Sequence, residues 1–294
     1  MATMMSIRRM ELTARVKRQG GGVRAVWLRS GALPARVTIF VHGFKNSEYD
    51  ADNAWRQTHE LLRPLVSPSA AASVAHYYWP GDRFENSVGS ALWYFKTVGT
   101  AVECGESLAD WIARAALQRN EMVVQFVGHS LGCRVVLEAV TGLAGNPRVR
   151  VGRVILMAAA VPEGLCHKGG TLPGTTGPEE LVLYSRADCV LKMVFPPGQW
   201  LARHPFNDPT PARGKWRAVG YTGGPNGRWH RAESSGYKHG GYWNSDESVR
   251  RIARLLDTKA PQVVPFRVVA ARCSPVREVL SHVPLIRWVY RRGG

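Results

Sequence analysis

Short runs of apolar and β-branched residues recur along this chain. Each closes at glycine or proline and gives way to apolar residues at helical spacing. The clearest strand signal is Arg36-Val37-Thr38-Ile39-Phe40-Val41, ended by His42-Gly43. Residues 49–65 then predict a helix with Ala54, Trp55, Leu61 and Leu62 on one side and Pro64 near its end. Residues 74–79 predict a second strand, cut off by Pro80-Gly81. Residues 87–118 have helical tendency, and glycines at 89, 99 and 105 predict two pieces. Residues 123–127 read as a strand buried on both faces, with Leu131, Val135, Val136 and Ala139 opening a helix directly after it. Residues 153–158 and 180–185 predict two more strands. Residues 245–256 predict a helix with Ser245 as N-cap and Asp246 and Glu247 in its first turn. This alternation predicts an α/β fold, a mostly parallel central sheet flanked by helices, with sites at the carboxyl ends of the strands.

Elsewhere the pattern is weaker. Residues 1–22 end in three glycines and predict an early strand or a loose arm, followed by a strand over 23–28. Between 196 and 241 Pro, Gly, Trp and Arg dominate, with one strand predicted at 216–221; so long a loop reads as a functional cover. Past Pro261 come an apolar run (263–270) and a basic, apolar segment (276–290). The expected organisation is an N-terminal arm over 1–34, one α/β domain over 35–257 and a basic C-terminal extension over 258–294. A chain of 294 residues with 45% hydrophobic content is enough for one large core.

Composition narrows the setting. No apolar run approaches the roughly 18 residues that a membrane span needs. The N-terminus is basic but lacks the apolar centre of a secretory signal. The 5 cysteines are scattered, without C-x-x-C or metal-ligand spacing, which predicts reduced thiols, a cytoplasmic location and no metal or cofactor. The net charge of +17 is spread along the chain and richest at the two ends. No nucleic-acid motif accompanies it, so a solvated basic surface is the expectation; an anionic membrane or an acidic partner stays open.

The candidate chemistry begins at Gly128-His129-Ser130-Leu131-Gly132. A G-x-S-x-G between a strand and a helix predicts a tight, strained turn that lifts the serine hydroxyl above the sheet edge. Gly128 and Gly132 are expected where the strand and helix backbones pass too close for a side chain. An attacking serine needs a base, an orienting acid and donors for the oxyanion. Asp188, a short turn past the strand over 180–185, is the preferred acid, with helix N-capping as its structural alternative. Glu163, after the strand over 153–158, is the second candidate. His239 is the preferred base, because it lies in a glycine-rich loop (236–241) after the acid and directly before the last helix. His230 and His204 are runners-up, and His167 precedes the acid. The Leu131 and Phe44 backbone amides are the candidate oxyanion donors. His42 and His129 are expected to be structural. Trp79 and Trp93 are candidates to line a substrate pocket, with core packing as the other reading of both.

Taken together, His42-Gly43-Phe44, Trp79-Pro80-Gly81 and the Gly-His-Ser-Leu-Gly elbow resemble the α/β-hydrolase superfamily. They are most similar to a bacterial family of largely uncharacterised hydrolases with an HGF loop, a Trp-Pro dipeptide and a GHSxG elbow. Residues 185–188 and His239-Gly240 match the superfamily's acid and base positions. The likeness covers about residues 35–257. It implies an α/β-hydrolase fold and a serine hydrolase of esterase or lipase type, acting on a small-molecule or lipid-like ester with Ser130, Asp188 and His239 as triad. A thioesterase, amidase or acyltransferase with the same triad is the alternative, as is a non-catalytic binding protein of that fold.

Overall fold

A computed structural model describes residues 10–16, 23–27, 34–44, 48–71, 73–81, 94–166, 180–202, 216–224 and 231–257. Among these, eight strands form one sheet: β1 (Met10–Val16), β2 (Val23–Trp27), β3 (Arg36–Val41), β4 (Val74–Tyr78), β5 (Met122–His129), β6 (Val149–Met157), β7 (Glu180–Tyr184) and β8 (Arg231–Ser234). Their order is β2-β1-β4-β3-β5-β6-β7-β8. The β1–β2 pair is antiparallel and every other pair is parallel. The helices are α1 (Glu48–Leu62), α2 (Pro68–Ala71), α3 (Tyr94–Ala116), α4 (Gly132–Leu143), α5 (Phe195–Ala202), α6 (Val219–Thr222) and α7 (Asp246–Leu256).

The central strands β3 and β5, and the last four residues of β6, are nearly continuous apolar runs because helices cover both faces. On one face α1 and α7 pack together, and Phe40 meets Trp55 edge-on at 4.6 Å. On the other, α3 and α4 pack together and α4 lies against β5 and β6. Two buried polar side chains inside the sheet satisfy each other: Thr38 Oγ1 donates to Gln125 Oε1 (3.1 Å), and Gln125 Nε2 donates to the Leu255 carbonyl of α7 (3.2 Å). From β3 the chain moves outward to β4, and from β5 it moves the opposite way to β6. The crevice of such a sheet lies at this reversal, beyond the carboxyl ends of β3 and β5.

Several expected elements are corrected. The helix expected in two pieces runs unbroken through Gly99 and Gly105. A Cβ at Gly105 would lie 2.5 Å from Glu138 Cβ and 2.7 Å from the Val135 carbonyl oxygen, so this glycine lets α3 and α4 cross closely. Its predicted start, residues 87–93, falls outside the described residues. The strand expected at 216–221 is instead a single bridge at Ala218 followed by the short helix α6. There Val219 and Gly220 donate to the Val161 and Ala159 carbonyls of the loop after β6, which draws the segment off the sheet edge. The edge position belongs to β8, which lacks a clear apolar alternation. Within residues 1–34, the early strand and the strand over 23–28 are present as β1 and β2, and β1 pairs with β4 inside the same sheet. Residues 258–294 lie outside the described residues. Cys104, Cys133 and Cys166 are buried free thiols. Among the described residues no helix is long and apolar enough to cross a membrane.

Candidate active site

The elbow is built by backbone geometry. Ser130 has φ +52°, in the left-handed region, and only Ala158 shares that feature among the described non-glycine residues. Such a conformation costs roughly 1–2 kcal/mol and persists where its surroundings hold it. Here the end of β6 and the loop after it do so: Ser130 N–H donates to the Met157 carbonyl (2.9 Å) and Ala160 N–H donates to the Ser130 carbonyl (3.1 Å). Gly128 meets its own helix as expected, since a Cβ would lie 3.1 Å from Cys133 Cα. Gly132 has a different neighbour: its Cβ would lie 2.2 Å from the His42 carbonyl oxygen at the end of β3.

Three residues far apart in sequence meet over this turn. Ser130 Oγ lies 2.9 Å from His239 Nε2, and His239 Nδ1 lies 2.8 Å from Asp188 Oδ2. The consistent proton placement has Ser130 donating to Nε2 and Nδ1–H donating to the carboxylate. Asp188 is fully buried, and Ser130 and His239 are 6% and 8% exposed, so the whole chain of hydrogen bonds is largely shielded from solvent and most so at its carboxylate end. Asp188 also caps the turn that follows, its Oδ1 accepting from Leu191 N–H (2.9 Å). The capping role and the histidine contact, set as alternatives by sequence, coexist on its two oxygens. Glu163 goes elsewhere: its carboxylate accepts from the Thr222 hydroxyl and its amide donates to the Arg217 carbonyl (2.9 Å), fastening α6.

A side-chain network holds the His239 loop. Ser235 Oγ donates to the Tyr184 carbonyl at the end of β7 (3.1 Å) and bonds Tyr242 Oη (2.9 Å). The Tyr237 hydroxyl bonds Ser245 Oγ and the Glu247 carboxylate at the start of α7. Arg251 pairs with Glu233 of β8 and donates to the Glu247 carbonyl. Sequence reasoning missed these residues. Their one visible trace is the aromatic flanking of the loop in Gly236-Tyr237-Lys238-His239-Gly240-Gly241-Tyr242-Trp243.

The loop after β3 runs against the serine, for a Cβ at Gly43 would sit 2.9 Å from Ser130 Cβ. His42 braces it as expected. His42 Nδ1–H donates to the Gly43 carbonyl (2.9 Å), and Nε2 accepts from Trp79 N–H (3.2 Å). Burial pushes the His42 ring down to about 4, so it is neutral at pH 7. Trp79, read as pocket wall or core packing, takes the packing reading: it is fully buried, stacks on His42, and donates Nε1–H to the His42 carbonyl (2.8 Å). Phe44, half-buried, meets Tyr94 of α3 edge-on at 5.7 Å, and Leu131 is buried at the start of α4 directly after Ser130. Trp93, His167, His204 and His230 lie outside the described residues. Among the described residues no group of three or more His, Cys, Asp and Glu is placed to hold a metal ion.

A mostly parallel sheet with covered faces, a strained serine turn at its reversal point and a buried Ser–His–Asp chain define an α/β-hydrolase architecture. Residues 30–195, more than half of the chain, match the family described as alpha/beta hydrolase of unknown function (DUF900), and the protein belongs to that family. No curated protein matches the chain. Among solved structures it is similar to a hyperthermophilic esterase from the archaeon Pyrobaculum calidifontis, with 17% identity and a TM-score of 0.44 over 86% of this chain and 84% of that one.

Proposed function

We propose that this protein is a serine hydrolase that cleaves a carboxylic ester through an acyl-enzyme. The observation that carries the proposal is the hydrogen-bond chain Asp188–His239–Ser130, whose serine sits in a left-handed turn between β5 and α4. In this reading His239 Nε2 takes the Ser130 proton as Oγ attacks the ester carbonyl, then returns it to the leaving alkoxide. Asp188 keeps Nδ1–H in place and stabilises the imidazolium that forms. The Leu131 and Phe44 amides receive the oxyanion, supported by the closeness of Gly43 to Ser130. Water, deprotonated by the same histidine, then releases the acid.

Thioester and amide hydrolysis and acyl transfer share this acyl-enzyme and differ only in leaving group or acceptor. The test is labelling with a fluorophosphonate probe and mapping of the adduct, followed by a panel of p-nitrophenyl esters, acyl thioesters and anilides. An adduct on Ser130 with fastest turnover of an ester is the expected result. No adduct on folded protein would remove the serine mechanism, and a preference for thioester or anilide would change the substrate class.

A further inference from the structure

We propose that His129, the residue before the nucleophile, is a positioning residue: its ring tethers the backbone of His239 so that the base meets Ser130 and Asp188 together. The inference rests on the triad reading above and deepens it. His129 Nε2 lies 2.8 Å from the His239 carbonyl oxygen. A carbonyl only accepts, so Nε2 carries the proton. The ring is 6% exposed and held between His239, Tyr242 and Trp243 at centroid distances of 5.4, 6.1 and 5.6 Å. Its Nδ1 has no hydrogen-bond partner among the described residues and faces Gly43, where a Cβ would lie 3.1 Å away. A protonated Nδ1 would be a buried donor without an acceptor; a bare lone pair costs less there. The neutral Nε2–H tautomer is therefore the state that this pocket accepts, in keeping with burial pushing the ring down to about 3.

The consequence is a closed circuit. Ser130 holds the His239 ring by one hydrogen bond, and its covalent neighbour His129 holds the His239 carbonyl by another. The backbone past the base has little steric support, since a Cβ at Gly240 would meet nothing within 4 Å. The network through Tyr237 and Ser235 secures the loop from the side of α7 and β7. The His129 bond is what secures the base's own peptide to the elbow. A misplacement of about 1 Å in such a group costs on the order of 10²-fold in rate.

The length of the side chain supplies the test. In His129→Gln the amide nitrogen reaches roughly where Nε2 stands and still donates, whereas in His129→Asn it falls short. Each variant is measured for kcat and KM on a p-nitrophenyl ester, for the rate of fluorophosphonate labelling, and for melting temperature. Expected is a fall in kcat and labelling of ~30–100-fold in His129→Asn with KM within about 3-fold, and recovery to within about 5-fold of the parent in His129→Gln. A folded His129→Asn with the parent's kcat and labelling rate overturns the tether, as does a His129→Gln that falls equally far. Nitrogen-15 NMR of the unaltered protein keeps the proposal testable if variants fail to fold. A His129 ring that is neutral and Nε2-protonated from pH 5 to 8 is expected, and an Nδ1–H tautomer or a ring that titrates in that range overturns it. An unaltered protein that resists labelling while showing that NMR signature sinks the serine-hydrolase reading; a labelled one with an indifferent His129→Asn sinks the tether alone.

Discussion

The elbow at Ser130 and the loop at His239 face each other across one hydrogen bond, yet they are made in different ways. Between strand and helix, the elbow is held by main-chain bonds to the end of β6 and the loop after it, and by glycines that admit neighbouring backbone. The loop has less main-chain framing, with Ser235 N–H donating to the Tyr184 carbonyl (2.8 Å) at its start. It is hung from β7, β8 and α7 by side chains of Ser235, Tyr237, Tyr242, Glu233, Glu247 and Arg251. Backbone framing makes the Ser130 turn intolerant of added volume and indifferent to most side-chain chemistry. Side-chain framing makes the His239 loop tolerant of volume and sensitive to each donor and acceptor.

The largest expected effect lies where the two regions meet. Ser130→Ala should reduce ester turnover by up to roughly 10⁶-fold without unfolding, because it removes the attacking atom and leaves the elbow backbone able to form. Turnover near that of the parent would break the proposed mechanism. Next comes the acid behind the loop: Asp188→Asn should lower kcat by about 10⁴-fold through loss of the His239 tautomer, while Glu163→Gln, whose side chain serves α6, should leave kcat nearly unchanged. A larger loss in Glu163→Gln would move the acid to the end of β6.

A pair of alanines tests the comparison itself. Gly132→Ala should destabilise by about 3 kcal/mol or more, since its Cβ would lie 2.2 Å from the His42 carbonyl oxygen. Gly240→Ala should leave stability and kcat close to the parent, with open space around its Cβ. Equal unfolding midpoints in urea would show that the elbow is no more tightly framed than the loop.

Acid should loosen both regions through their buried histidines. His42 and His129 are depressed to about 4 and about 3 by burial, while an unfolded chain titrates near 6.5. Below 6.5 the unfolded state binds more protons than the folded one, so stability should fall as pH drops from about 6.5 towards 4, and be flat above it. Each ring contributes up to about 1.4 kcal/mol per pH unit. Urea midpoints at pH 7 and pH 5 measure the slope, and His129→Gln should flatten it; a slope unchanged in that variant would mean that His129 titrates normally. A smaller loss than those of Ser130→Ala and Asp188→Asn is expected from Tyr237→Phe, which loses bonds to Ser245 and Glu247 at a part-exposed site. About 1 kcal/mol of stability and a few-fold of kcat should go, with KM for a small ester unchanged. No change in kcat would remove Tyr237 from the support of the base.

Much of this protein was readable because its main signals are local. The β-branched runs of β3 and β5 report a sheet covered on both faces, and Gly-x-Ser-x-Gly between strand and helix reports the strained turn from five adjacent residues. Asp188 and His239 were legible through chain order and their place at strand ends, which bound the choice without giving contact. Tertiary structure alone decided which carboxylate reaches His239, because Asp188 and Glu163 both follow strands and differ only in where their turns point. It decided that Gly105 is a crossing of two helices and not a break, since the neighbour that demands a bare Cα lies 33 residues on, at Glu138. It made Trp79 a brace by folding the end of β4 over His42. It also gave His129 an acceptor that is 110 residues away. Local sequence carries backbone preference and burial; the direction of a hydrogen bond depends on atoms that only the folded chain brings within 3 Å of each other.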